Sequence, residues 1–221
     1  MLFLKIDSSA PVMTYLSGEI KAALAAGKKV VWLTAGGSSV AIAVEVANEI
    51  RENPHLANLT VSLTDERYGR PGHKDSNWQQ LEDKGFALDG AKLLPVLSGD
   101  SLEVTAQKYA DTVSRAIENA DYSVALAGLG PDGHILGIKP VSPAVNTKDL
   151  AVGYKWDDYE RVTLTFEILK RLDEVIVYAI GREKWPQFDM LAKEVSTEKQ
   201  PAQLLKKLKK VTIFNDYKEA I

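Results

Sequence analysis

Short β-rich apolar runs alternate along this chain with longer stretches of helical periodicity, and most runs end in a polar or glycine-rich loop. Lys29 to Thr34 predicts a strand that stops at Ala35-Gly36-Gly37-Ser38. Ser39 to Arg51 predicts a helix, because Glu45, Asn48, Glu49 and Glu52 form one polar stripe with Val40, Ile42, Val44, Val46, Ala47 and Ile50 around the rest. Leu59 to Thr64 reads as the next strand, followed by a polar loop from Asp65 to Asp75. Asp100 and Glu103 have capping-box spacing ahead of a helix whose apolar face is Leu102, Ala106, Tyr109, Val113, Ala116 and Ile117. Tyr122 to Ala127 is nearly continuous in apolar residues, as in a strand covered on both faces, and runs into Gly128-Leu-Gly-Pro-Asp-Gly-His134. Arg161–Phe166 and Val175–Ile180 continue the strands, Pro201–Lys209 predicts a short helix, and Val211–Phe214 a last strand.

Strands that alternate with helices require crossover connections. The expected fold is therefore α/β: a doubly wound, mostly parallel, Rossmann-like sheet with helices on both faces. No repeat, low-complexity tract or linker divides the sequence, so one domain over residues 1–221 is expected. Ligands of such sheets bind beyond the carboxyl ends of the strands. The loops 35–38, 65–75, 128–134 and 181–184 all follow predicted strands and are expected to converge on one crevice.

Composition narrows the chemistry available there. The 221 residues include no cysteine and three histidines, with a net charge of −3. Thiolate nucleophiles, disulfides and iron–sulfur clusters are excluded. With no cysteine and no spaced histidine pair, no metal and no cofactor are expected, and no serine sits in a G-x-S-x-G elbow. The small negative charge gives no reason to expect a nucleic-acid or membrane partner. Lys206, Lys207, Lys209 and Lys210 are interrupted by Leu204, Leu205 and Leu208, so that run reads as a solvated helix face. No apolar run approaches the roughly 18 residues of a membrane span. Lys5 and Asp7 interrupt the stretch where a signal peptide would be apolar, so a cytoplasmic setting is expected.

Each loop has a chemical reading beside a plainer one. Gly36, Gly37 and Ser38, between strand and helix, have the makings of a phosphate cradle of backbone N–H groups, or of an ordinary capped turn. Asp65-Glu66-Arg67 places two carboxylates and a five-donor guanidinium at a strand end, suited to a phosphate and sugar hydroxyls or to a local ion pair. Gly130-Pro-Asp-Gly-His134 sets Asp132 beside His134, which suits a general base fixed by a carboxylate; the plainer reading is a Pro-Asp-Gly turn. Gly181-Arg-Glu-Lys184 offers Lys184 or Arg182 as a phosphate cation, or as a solvated helix-start charge. His55 reads as solvated, and His73 reads as a loop residue able to line the crevice.

Taken in order, these loops resemble the 6-phosphogluconolactonases, within the larger group that includes glucosamine-6-phosphate deaminases. Strand–Gly36-Gly37-Ser38–helix is similar to the group's phosphate loop, and Thr64-Asp65-Glu66-Arg67-Tyr68 with Ser76-Asn77 to the lactonase elements. Gly130-Pro131-Asp132-Gly133-His134 resembles the signature that both branches share. Arg161–Thr165, Gly181-x-x-Lys184, Pro201–Leu205 and Val211–Ala220 resemble later blocks. Two segments depart from the family pattern: Ile135-Leu-Gly-Ile-Lys-Pro140 after the histidine, and Ser39-Val40-Ala41, which lacks a family-typical lysine. The deaminase glutamate five residues after the histidine is Lys139 here, which disfavours deaminase chemistry.

The resemblance implies hydrolysis of 6-phospho-D-glucono-1,5-lactone in the pentose phosphate pathway. His134, Asp132 and Arg67 would be catalytic; Gly36, Gly37, Ser38, Asp65, Arg67, Gly133 and Lys184 would bind the sugar phosphate. The alternatives are an amino-sugar-phosphate deaminase or isomerase, and a non-catalytic sugar-phosphate-binding protein.

Overall fold

The computed structural model describes residues 1–156 and 159–220. In chain order the elements are β1 (Leu2–Lys5), α1 (Ala10–Ala25), β2 (Val30–Thr34), α2 (Ser39–Ile50), β3 (Leu59–Leu63), β4 (Asp65–Arg67), α3 (Asn77–Asp83), β5 (Lys92–Leu93), α4 (Leu102–Glu118) and β6 (Tyr122–Gly128). They continue with α5 (Pro143–Asn146), β7 (Ala151–Lys155), β8 (Glu160–Leu164), α6 (Phe166–Leu169), β9 (Glu174–Ala179), α7 (Trp185–Leu191) and β10 (Val211–Asn215).

Among the described residues, seven strands form one parallel sheet in the order β1-β10-β9-β6-β2-β3-β5. All five residues of β2 are buried, as are all five of β10, which fits strands covered by helices on both faces. Trp32, Leu33, Leu59 and Phe214 from the sheet, with Leu16, Ile20, Ile42 and Phe188 from the helices, are among the largest fully buried side chains. No helix among the described residues is long and apolar enough to cross a membrane.

The strand order places the crevice. The chain leaves β2 towards β3 and β5 on one side, whereas β6, β9 and β10 lie on the other. β2 and β6 are hydrogen-bonded neighbours, from Val30 opposite Tyr122 to Leu33 opposite Ala125. The order therefore reverses between them, and the loops after β2 and β6 diverge over an open groove.

Three expectations need correction. Asp65 to Asp75 is not wholly a loop: Asp65–Arg67 is a strand. The predicted strand at Arg161–Phe166 ends at Leu164 and does not join the parallel sheet. Instead β4, β8 and β7 make a small antiparallel sheet, with Asp65 opposite Thr163 and Arg67 opposite Arg161. The physical reason is register: β4 continues almost directly from β3, so the chain changes sheet within one residue, and the strand alternation turns Asp65 and Arg67 to the groove and Glu66 away from it. The helix at α4 is capped by Ser101, whose hydroxyl accepts from the Val104 N–H at 3.4 Å, rather than by Asp100. The short helix expected over Pro201–Lys209 is present as a 3-10 helix, Pro201–Lys207.

Candidate active site

Four loops line one cleft of about 310 Å³ at the switch point. Gly36, Gly37 and Ser38 enter from the end of β2, Asp65 and Arg67 from β4, Gly130 and His134 from the turn after β6, and Lys184 from the segment after β9.

The β2 loop is built for close backbone approach. Gly37 has φ +62°, a left-handed conformation that glycine adopts without penalty. A Cβ on Gly36 would run into the Asn77 carboxamide, which donates to the Asp65 carbonyl at 3.0 Å. Ser38 caps α2 without any side-chain cap bond. The Ser39 and Val40 N–H groups turn back onto the Gly36 (3.3 Å) and Gly37 (3.2 Å) carbonyls, so it is the Gly36–Ser38 loop itself that meets the cleft at the start of α2, where the helix dipole favours an anion.

Asp65 and Glu66 are adjacent carboxylates with opposite fates. Glu66 is wholly buried and accepts from the N–H groups of Arg67 (2.7 Å), Asn77 (2.6 Å) and Trp78 (3.1 Å) and from Ser76 Oγ (2.9 Å). Its burial still raises its pKa above the usual glutamate value, against those hydrogen bonds. Glu66 holds the start of α3 onto β4 and has no capacity left for a ligand. Asp65 lines the cleft with one side-chain hydrogen bond, from Thr64 Oγ1 at 3.0 Å. Burial raises its pKa too, opposed by Thr64 and by the charges of Arg161, His134 and Arg67.

The turn after β6 makes the pair expected from its spacing. Gly130 N–H donates to the His134 carbonyl (3.0 Å), and Gly133 N–H to the Gly130 carbonyl (3.0 Å), which closes the turn. A side chain on Gly130 would occupy the place of the imidazole. Asp132 Oδ1 contacts His134 Nδ1 and also accepts from the His134 N–H at 3.1 Å. Burial works to raise the Asp132 carboxyl, but hydrogen bonds from His134 and the charges of His134 and Lys139 hold it well below the usual carboxylate range. With Nδ1 engaged by an ionised carboxylate, Nε2 is the nitrogen left to take a proton in the cleft. Asp132 itself stands behind the histidine and does not line the cleft.

The cations are the cleft's other resource. Lys184 has no carboxylate within ion-pair distance among the described residues, and burial lowers its pKa from the usual lysine value against the pull of Glu183 and Asp216. Arg67 has no carboxylate partner among the described residues; it stacks on Tyr159 at 4.5 Å and donates to the Asp75 carbonyl at 3.4 Å. A half-buried cation without an anion is costly, and a bound phosphate would remove that cost.

Not every expected residue reaches the cleft. Gly133, with φ +82°, lies on the far side of the turn, where a Cβ would meet Gln187 and Gln200. Arg182 is exposed over the Trp185 ring, 5.5 Å away, so Lys184 is the cation of that segment that lines the site. His73 Nε2 contacts the Arg67 carbonyl at 3.0 Å and His55 is exposed; neither lines the cleft.

Three lining residues were not singled out from the sequence. Asn77 and Arg161 stood within blocks quoted for the resemblance, and Lys139 only as a departure from it. Arg161 is 7% exposed and reaches the cleft because β8 pairs with β4. Lys139 lies five positions after His134 in an otherwise apolar stretch, and that isolation was the available signal.

Comparison with known proteins places this geometry in context. A family model described as glucosamine-6-phosphate isomerases/6-phosphogluconolactonase matches residues 7–214. A probable chloroplastic 6-phosphogluconolactonase 4 of Oryza sativa subsp. indica is 26% identical over 213 residues, covering 83% of this chain and 63% of that protein. The chain thus spans less than two thirds of that relative's length. A 6-phosphogluconolactonase of Chlamydia trachomatis is 24% identical over 182 residues, covering 80% of this chain and 70% of that one. Among solved structures, a 6-phosphogluconolactonase from Thermotoga maritima superposes with TM-score 0.82 at 21% identity, covering 97% of this chain and 98% of that chain. A monomeric glucosamine-6-phosphate deaminase superposes with TM-score 0.78 at 17% identity, covering 97% of each. At these identities the superpositions establish the fold.

Proposed function

Because the chain belongs to the glucosamine-6-phosphate isomerase/6-phosphogluconolactonase family, we propose that it hydrolyses 6-phospho-D-glucono-1,5-lactone to 6-phosphogluconate. One observation carries the reading: a histidine fixed by an ionised aspartate lines a cleft in which Arg67 and Lys184 have no carboxylate partner among the described residues. A sugar lactone bearing a phosphate supplies what that cleft lacks.

A lactone is an activated ester and needs no covalent nucleophile. His134 Nε2 takes a proton from water as its oxygen attacks the lactone carbonyl carbon, and Asp132 stabilises the imidazolium that forms. General-base assistance of this kind is worth roughly 10²–10⁴-fold in rate. The tetrahedral intermediate collapses with cleavage of the ring C–O bond, and the imidazolium returns its proton to the departing oxygen. The N–H groups around Gly36, Gly37 and Ser38, with Lys184, hold the 6-phosphate. Asp65, with few bonds of its own, accepts from sugar hydroxyls. Arg67 serves the phosphate or the oxyanion, and its truncation discriminates: a rise in KM assigns it to the first, a fall in kcat to the second. A cytoplasmic setting belongs to the same proposal.

The test is a coupled assay of 6-phosphogluconate formation on fresh lactone, with spontaneous hydrolysis subtracted. Turnover above the spontaneous rate is expected. Ammonia release from glucosamine 6-phosphate would replace this reading with the deaminase one. Thermal stabilisation by 6-phosphogluconate without turnover would make the protein a binder.

A further inference from the structure

We propose that Lys139 is a positioning residue for the reaction: its ammonium clamps the Asp132 carboxylate against His134 Nδ1, and its charge beside the ring disfavours a second charge on the imidazole. The inference rests on the function proposed above.

Lys139 Nζ lies 3.1 Å from His134 Nδ1 and 3.3 Å from Asp132 Oδ2. Its side chain is 14% exposed, unlike the solvated lysines elsewhere on the surface. The chain supports this placement with a costly backbone. Leu136 has φ +55° and Val141 has φ +53°, left-handed conformations rare for such side chains. Between them Ile138 N–H donates to the Ile135 carbonyl at 3.0 Å, Lys139 N–H to Tyr154 Oη at 3.4 Å, and Ser142 N–H to the Lys139 carbonyl at 3.1 Å. Gly137 is pressed so close to Thr163 that a Cβ there would sit 2.8 Å from it. The lysine backbone is thus fixed on both sides, beside the catalytic turn.

An ammonium only donates. The His134 Nδ1–H is given to Asp132 Oδ1, so Lys139 pairs with the second carboxylate oxygen and locks the carboxylate rotamer. Its positive charge beside the ring then opposes a second one on the imidazole. Asp132 from the same turn and Asp65 from β4 favour the imidazolium; Lys139, Arg67, Arg161 and Lys184 around the cleft disfavour it. Of these cations, Lys139 is the one in contact with the ring.

Removing it leaves Asp132 as the nearest charge, and protonation of the base moves to higher pH. In Lys139→Met the acid limb of the kcat/KM profile is expected to move up by about one pH unit, whereas Lys139→Arg, which keeps the charge, leaves it near wild type. The ring resonances of His134 followed by NMR in the free enzyme, assigned by comparison with His134→Asn, are expected to show the same shift in their titration midpoint. Lys139→Gln carries the same expectation should the methionine variant not fold. Unmoved His134 midpoints in both neutral variants overturn the proposal. A shifted midpoint in a protein without lactonase turnover overturns the proposed function while leaving the Lys139 clamp in place.

Discussion

The two ends of the parallel sheet use similar ingredients to opposite purpose. At the amino end, Glu174 opens β9 with a fully buried side chain. It accepts from Tyr15 Oη (2.8 Å), Tyr122 Oη (2.9 Å) and Thr212 Oγ1 (3.2 Å), and pairs with Lys210 Nζ at 2.8 Å. Although burial pulls the other way, bonds to Glu174 and Tyr15 hold Lys210 above the usual lysine range. One carboxylate there ties together α1, β6, β9 and β10, with its oxygens saturated. At the carboxyl end the accounts are left open: Asp65 has one donor, Lys184 and Arg67 have no acid among the described residues, and His134 has a spare nitrogen. Saturated polar groups hold a fold together, whereas unsaturated ones are where a ligand finds its bonds.

Perturbing each end should therefore have separable effects. His134→Ala is expected to lower kcat/KM for the lactone by about 10²–10⁴-fold with the melting temperature unchanged; undiminished turnover would remove His134 as the base. Glu174→Ala strands four donors, and should cost about 3 kcal/mol, or roughly 6–12 °C in Tm, by thermal unfolding. The kinetics of the folded Glu174→Ala enzyme should stay at wild type, and a large kcat loss would break the division between the two ends. Lys184→Ala should raise KM about tenfold, near 1.4 kcal/mol of phosphate binding, with kcat little changed; a pure kcat loss would move Lys184 to the transition state.

Asp65→Asn is the subtlest case. Burial raises the pKa of Asp65 in the folded state, so its relative contribution is present below the unfolded value and lost as pH rises through the folded one. Ionised Asp65 thus costs stability at neutral pH. The asparagine variant should melt higher than wild type at pH 7, with the gap closing as the pH falls below about 4. A gap that widens on acidification would reverse the sign and show that its cationic neighbours outweigh burial.

Much of this was legible in the chain. β2, β3, β6, β9 and β10 were marked by apolar runs because a strand buried on both faces has no polar side to show. The turn at Gly130–His134 was legible because Gly130 must lack a side chain for the imidazole to lie over it. β1, α1 and β7 were not expected, and neither were the short elements α3 and β5. The two residues of β5 are too few to carry a period. Gly133 was expected in the cleft because sequence proximity to His134 does not say which way a tight turn faces.

The sequence by itself determined where strands stop, which loops follow them, and which turn puts a carboxylate beside an imidazole, since these depend on neighbours a few residues apart. Only the tertiary structure decided that β2 lies beside β6, that Arg161 comes opposite Arg67, and that Lys139 folds back onto Asp132 and His134. Those outcomes depend on strand pairing and on left-handed backbone at Leu136 and Val141. Such pairings are set by the packing of the whole sheet, which no local period encodes.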